Sequence, residues 1–183
     1  MTLPPLPAWQ AIHPLIIHFP IALLLIAPLF IAIGAVRKPE RSYSFLLFAL
    51  ILMAIGTVST FVAASSGEAA GRLVENAPQV KGVLEQHEEL AESTEIVFSA
   101  LTLIFASILF VPRLLKLEPA RAISTVLPLV FLLFYATGAI SLANTAHQGG
   151  RLVHELGVTA QVQPHAFGAE TAECDEVFIA VLF

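Results

Sequence analysis

Four apolar stretches, each about 20 residues long, dominate the sequence. A helix that crosses the roughly 30 Å hydrocarbon core of a bilayer, rising 1.5 Å per residue, needs a run of this length. The stretches cover about residues 15–36, 43–64, 95–112 and 122–143, and the third carries a helical extension on its N-terminal side from near Val83. With short polar connections between them, they predict one fold class: an all-α, integral membrane four-helix bundle with up-down-up-down topology. Composition agrees. Apolar residues make up 57% of the chain and charged residues 13%, against about half and about a quarter in soluble domains. Residues 1–158 read as one four-helix transmembrane domain and residues 159–183 as an extracytoplasmic tail. The tail ends in the apolar run Val177 to Phe183, too short to span. No basic region precedes the first stretch, so no removable signal peptide is expected.

Lysine and arginine in short loops orient such a bundle. Arg37, Lys38 and Arg41 follow the first stretch, and Arg113, Lys116 and Arg121 follow the third. Only Arg72, Lys81 and Arg151 lie on the other side. The two basic loops are therefore expected in the cytoplasm and both termini outside. All of the 14 acidic residues except Glu40 and Glu118 also fall on the outer side. A net charge of −5 without a basic, aromatic-interleaved run argues against a nucleic-acid partner, and none is expected. The single cysteine, Cys174, excludes an internal disulfide and a Cys-x-x-Cys metal or haem-attachment motif.

A weak internal repeat is visible. Gly71 to Val74 after the second stretch and Gly150 to Val153 after the fourth both read Gly-Arg-Leu-Val. Two repeated helical hairpins are one reading of this match, and chance similarity of small-residue helix ends is the other. Small residues of either origin allow close approach of a neighbour or a flat ligand.

Of the six histidines, only His165 lies in the tail. His13 and His18 belong to the outer end of the first helix, His87 to the extension of the third, and His147 and His154 to the end of the fourth. Counting about 20 residues up from Val36 puts His18 near the outer hydrocarbon edge, with His13 about 7 Å higher. His87 stands about 10 Å above Thr94, and His147 about 9 Å above Ser141. Imidazole ligates haem iron, zinc and copper, and a four-helix bundle brings ligands together from facing helices. Interfacial histidines bonded to headgroups, water or backbone are the plainer alternative, and His154 and His165 read as surface residues. Pro14 suits a first helical turn. Pro20 frees the carbonyl of Ile16, which is placed to fix a histidine tautomer. Glu68, Glu92 and Glu95 suit either a proton relay or a solvated acidic rim. No Ser-His-Asp order, phosphate loop or paired-carboxylate motif supports a hydrolase or kinase.

His13-Pro-x-x-x-His18-Phe-Pro20, followed by Ile-Ala-Leu, resembles the "domain of unknown function 2231" family of predicted bacterial four-helix membrane proteins. The resemblance spans about residues 11–158 and includes Gly67, His87 and the segment His147-Gln-Gly149-Gly150-Arg-Leu-Val153. Many members carry tyrosine and histidine where this chain has His154 and Leu156, so no ligand role is carried over to His154. Members occur in a context of cytochrome domains, which implies electron transfer and a bacterial inner (cytoplasmic) membrane location.

Three functions follow as expectations. The first is a membrane-bound b-type haem protein, or a redox-complex subunit, that transfers electrons at the outer face. Its haem b would take ligands from His13, His18, His87 and His147, with Gly67, Gly149 and Gly150 leaving room for the porphyrin. The second is a zinc- or copper-binding membrane protein using the same four histidines. The third is an anchor subunit without cofactor. The expected partners are the lipid bilayer and cytochrome or other redox-complex subunits, and an electron-transfer or binding subunit is a better reading than a stand-alone enzyme.

Overall fold

The computed structural model describes residues 8–116 and 121–158, and the tail lies outside the described residues. A 3₁₀ turn at Trp9–Ala11 leads into α1 (His13–Ile16) and α2 (His18–Val36), which make one membrane helix with a break at Ile17. Then come α3 (Pro39–Gly71), α4 (Pro78–Leu114) and α5 (Arg121–His154). Pro14, Pro39 and Pro78 start their helices where a missing N–H costs nothing. Among the described residues all regular structure is helical, and four helices are long and apolar enough to cross a membrane: His13–Val36, Arg41–Gly71, Pro78–Leu114 and Thr125–His154.

Contacts pair α2 with α3, α3 with α4, α4 with α5, and α5 with α2, closing a ring. The pairs are antiparallel. Gly34 meets Leu46 while Gly56 meets Leu24, and Gly138 meets Leu101 while Gly149 meets His87. At these glycines an added Cβ would fall 2.7 to 3.1 Å from its neighbour, so the backbones approach closely, as is common between membrane helices. Leu24, Ala27, Ile31, Met53, Phe98, Phe105, Phe131 and Tyr135 form the interior. Leu25, Leu29, Ile51, Ile55, Leu103, Ile104, Leu133 and Phe134 are exposed along the middle of the bundle. An apolar surface around an apolar core is what lipid requires and water forbids.

At the histidine end the helices run past the apolar stretches. α4 has 37 residues, about 55 Å of helix. This overhang has its own small core of Val80, Leu84 and Leu152. At the opposite, basic end, Arg113 stacks 3.6 Å above the Tyr43 ring and ties α4 to α3.

The hairpins α1–α3 and α4–α5 share one pattern. His13, Leu24, Ala27, Ile31 and Ala35 recur at the same spacing as His87, Phe98, Leu101, Phe105 and Leu109, and the apolar members of both sets are buried. Their partners Ala49, Met53, Gly56, Ala63 and Gly67 recur as Phe131, Tyr135, Gly138, Thr145 and Gly149. In this register Gly150 corresponds to Glu68, not Gly71, so the two Gly-Arg-Leu-Val segments are out of step. Arg72 to Val74 lie in a turn, whereas Arg151 to Val153 are still helical.

Long-range bonds link the hairpins in the interior. Thr57 on α3 bonds Thr102 on α4 at 2.9 Å, and a second contact joins α5 to α2. Pro28 has no N–H to offer the carbonyl of Leu24. Tyr135, 1% exposed, donates its hydroxyl to that oxygen at 2.6 Å. Tyr135→Phe leaves a buried acceptor empty and is expected to cost about 1–3 kcal/mol in denaturant unfolding from detergent. In a Pro28→Ala background, where a backbone N–H is restored, the same substitution is expected to cost less.

Candidate functional site

The histidine end holds two similarly built imidazole seats. In the first, α1 presents His13 to α3. Its Nδ1 lies 2.8 Å from the Ala63 carbonyl and 3.1 Å from Ser66 Oγ. A carbonyl oxygen only accepts, so Nδ1 carries the proton and Nε2 of the neutral ring carries the lone pair. Ser66 is fully buried and donates to the same Ala63 carbonyl at 2.9 Å. The ring lies against Gly67, where a Cβ would come 2.8 Å from His13 Cε1.

The second seat repeats this between α4 and α5. His87 Nδ1 donates to the Thr145 carbonyl at 3.0 Å, and a Cβ on Gly149 would lie 3.1 Å from His87 Cε1. In each seat the accepting carbonyl comes four positions before the glycine, so one helical turn supplies both anchor and floor. The second seat is braced differently. Thr94 Oγ1 bonds Ser141 Oγ at 2.8 Å and Thr145 Oγ1 at 2.9 Å, and Thr145 Oγ1 donates to the Ser141 carbonyl. The matching position to Thr94 in the first hairpin is Pro20. Both seated histidines are half-buried, and His87 is near enough for its charge to act on His13.

The remaining histidines stand apart from the seats. His18 is exposed, and its Nδ1 bonds the Pro14 carbonyl of its own chain segment at 2.8 Å, not the Ile16 carbonyl that Pro20 frees. His147 and His154 are exposed on α5. His165 lies outside the described residues. Of the three glycines expected to border a flat ligand, Gly67 and Gly149 are covered by imidazole rings, while Gly150 has nothing within 4 Å of a Cβ. Among the described residues no group of three or more His, Cys, Asp or Glu side chains is placed to hold a metal ion. Around the seats the acidic rim is partly paired, with Glu68 to Arg72 and Glu155 to Arg151 as exposed i,i+4 bridges that add little to stability.

Reading residues by type passes over Ala63, Ser66 and Thr145, because two of them act through backbone oxygens. The signal that points to them is spacing. His13 to Gly67 and His87 to Gly149 fall in matching registers of the two hairpins. Chemically, the site offers two anchored neutral imidazoles with free Nε2 atoms, suited to metal ligation or proton exchange.

A family model described as "Predicted membrane protein (DUF2231)" matches residues 10–162. No curated protein and no solved structure matches the chain.

The seats predict a selective response to added methyl groups. In nitrogen-15 histidine NMR, His13 and His87 are expected as neutral Nδ1–H tautomers. Gly67→Ala should displace the His13 signals and leave those of His87. Gly149→Ala should do the reverse more mildly, because its neighbour is farther away. Gly150→Ala should move neither.

Proposed function

The chain belongs to the DUF2231 family of predicted membrane proteins, and from that premise we propose that it is a b-type haem protein, or the haem-bearing subunit of a redox complex, in which His13 and His87 would hold the iron. The observation that carries this reading is the matched tautomer of the two rings. Both Nδ1 atoms are committed to carbonyls, which leaves two Nε2 lone pairs from two different hairpins. A haem iron held by two histidines needs two such donors, whereas zinc commonly takes three or four protein ligands. The pair fits the group in number and tautomer, and the absence of a larger donor cluster among the described residues favours haem over zinc or copper.

When bound, haem supplies one-electron chemistry. This chain's residues contribute orientation and electronic tuning. The Ala63 and Thr145 carbonyls hold each imidazole against rotation and raise its basicity by accepting from Nδ1–H. Ser66 adds a second acceptor at His13 only, so the two ligands are electronically unequal. Gly67 and Gly149 let the rings approach α3 and α5 closely. His18, His147 and Gly150 serve in this reading as surface residues around the site.

We further infer from the basic loops that the histidine end faces the periplasm from the bacterial inner membrane. Electrons would then be exchanged there with a cytochrome or another redox subunit. Alkaline phosphatase fused after Val158 should be active, and fused after Lys38 inactive.

A visible spectrum of the purified protein, oxidised and dithionite-reduced, with a pyridine haemochrome assay, tests the cofactor. A Soret band and a sharp reduced α band are expected. His13→Ala and His87→Ala should each abolish the low-spin spectrum, while His18→Ala and His147→Ala should retain it. A colourless protein made with ample haem would sink the reading, and metal analysis of that sample would then separate a metal site from a structural anchor.

A further inference from the structure

The two hairpins differ sharply at one matched position. Ile21 follows His13 at the spacing at which Glu95 follows His87. Ile21 packs against the interior cluster, so this place in the bundle accepts an apolar side chain. Glu95 is half-buried there, and its Oε1 is covered with no hydrogen-bond partner. No Lys, Arg, Asp or Glu occurs in residues 18–36, 42–67, 96–112 or 122–150, so Glu95 is the innermost acid on its helix, at the border of the apolar stretch.

A carboxylate with a covered oxygen and no donor is disfavoured against its neutral form. Among the described residues the surroundings of Glu95 supply no cation. The elements packed on α4 are α3 and α5. On α3 the titratable groups are Glu40, Arg41 and Tyr43, all at the basic end far from Glu95, and Glu68. On α5 they are Arg121, at the basic end of the helix, Tyr135, whose hydroxyl is committed to Leu24, and exposed His147 with Arg151 and His154 beyond it. On α4 itself Glu92, a turn away, adds a like charge. Packing does not call for an acid here, and ionisable groups at membrane depth are commonly functional.

We propose that Glu95 is a proton-binding site whose occupancy is linked to the charge carried at the His13–His87 pair. The linkage rests on the haem reading, and proton binding by itself does not. An electron from the one-electron donor of that reading adds negative charge at the pair. Glu95 then takes a proton from the aqueous phase at the histidine end, an O–H bond of hydronium breaking as one forms at the carboxylate. Glu95 is about 12 Å along α4 from His87. Across that distance, in a medium of intermediate dielectric, a unit charge changes proton affinity by about tenfold. Added negative charge raises the affinity, so the midpoint potential falls as pH rises through the window between the two carboxyl pKa values.

Two measurements on the full-length protein in detergent test this, with Glu95→Gln and Glu95→Ile as variants. The isoleucine variant copies the matched position and serves as the folding control. Infrared pH titration should show a carboxylic C=O band that persists above the ordinary glutamate range and is absent from both variants. If no Glu95-dependent band is found, the proposal is overturned whatever the cofactor. Redox titration should show a potential that shifts with pH by up to the tenfold affinity change, about 59 mV for one electron, and a flat profile in Glu95→Gln. A band with a flat wild-type profile overturns the linkage. A band in a protein that lacks any chromophore overturns the haem reading and leaves Glu95 a proton site.

Discussion

Inside hydrocarbon every backbone carbonyl must find its donor within the protein, and this bundle is organised around the carbonyls that receive donors from other helices. Leu24, left without its helical donor by Pro28, takes the hydroxyl of Tyr135 and joins the two hairpins at mid-depth. Ala63 and Thr145 take the Nδ1–H of His13 and His87 and join the helices within each hairpin at the histidine end. Without a hydrophobic driving force between helices in lipid, such bonds and the close approach at Gly34, Gly56 and Gly138 supply specificity that side-chain burial alone cannot.

The same constraint explains why the site lies where it does. The seats fall between the lipid-facing interior and the overhang packed by Val80, Leu84 and Leu152. Below them, several buried polar groups are hydroxyls that satisfy one another, as Thr57 does with Thr102 and Thr94 with Ser141, whereas Glu95 keeps an oxygen without a partner. Above them the helices carry exposed charged pairs. An imidazole at this boundary keeps one nitrogen bonded to protein and the other free, with dry and wet surroundings within a helical turn.

Much of this was legible in the residues. The four spans follow from hydropathy because a membrane helix is a long, nearly unbroken signal. The common height of the histidines follows from counting residues at fixed rise. Which histidines point inward did not follow. Leu25 and Leu29 face outward and Leu24 and Ile31 inward with the same chemistry, so no amphipathic stripe marks the interior face of α2. His13 and His18 were therefore indistinguishable by pattern, although one is seated and the other exposed. The repeat was visible as Gly-Arg-Leu-Val but in the wrong register, because small residues at helix ends match easily. The true register is carried by His13 with Gly67 and His87 with Gly149, which are far apart in sequence. Glycine content suggested space for a flat ligand, whereas at Gly67 and Gly149 that space is filled by the histidine rings.

The pairing of α3 with α4 and of α5 with α2 is the contact scheme of two hairpins related by a two-fold axis along the bundle. Were the hairpins separate, identical chains, every mutation would strike both seats at once. A site that needs one unequal half, with Ser66 beside one ring, Thr94 beneath the other, and Glu95 set against Ile21, would then be out of reach. Joining the halves in one chain releases them to be selected independently.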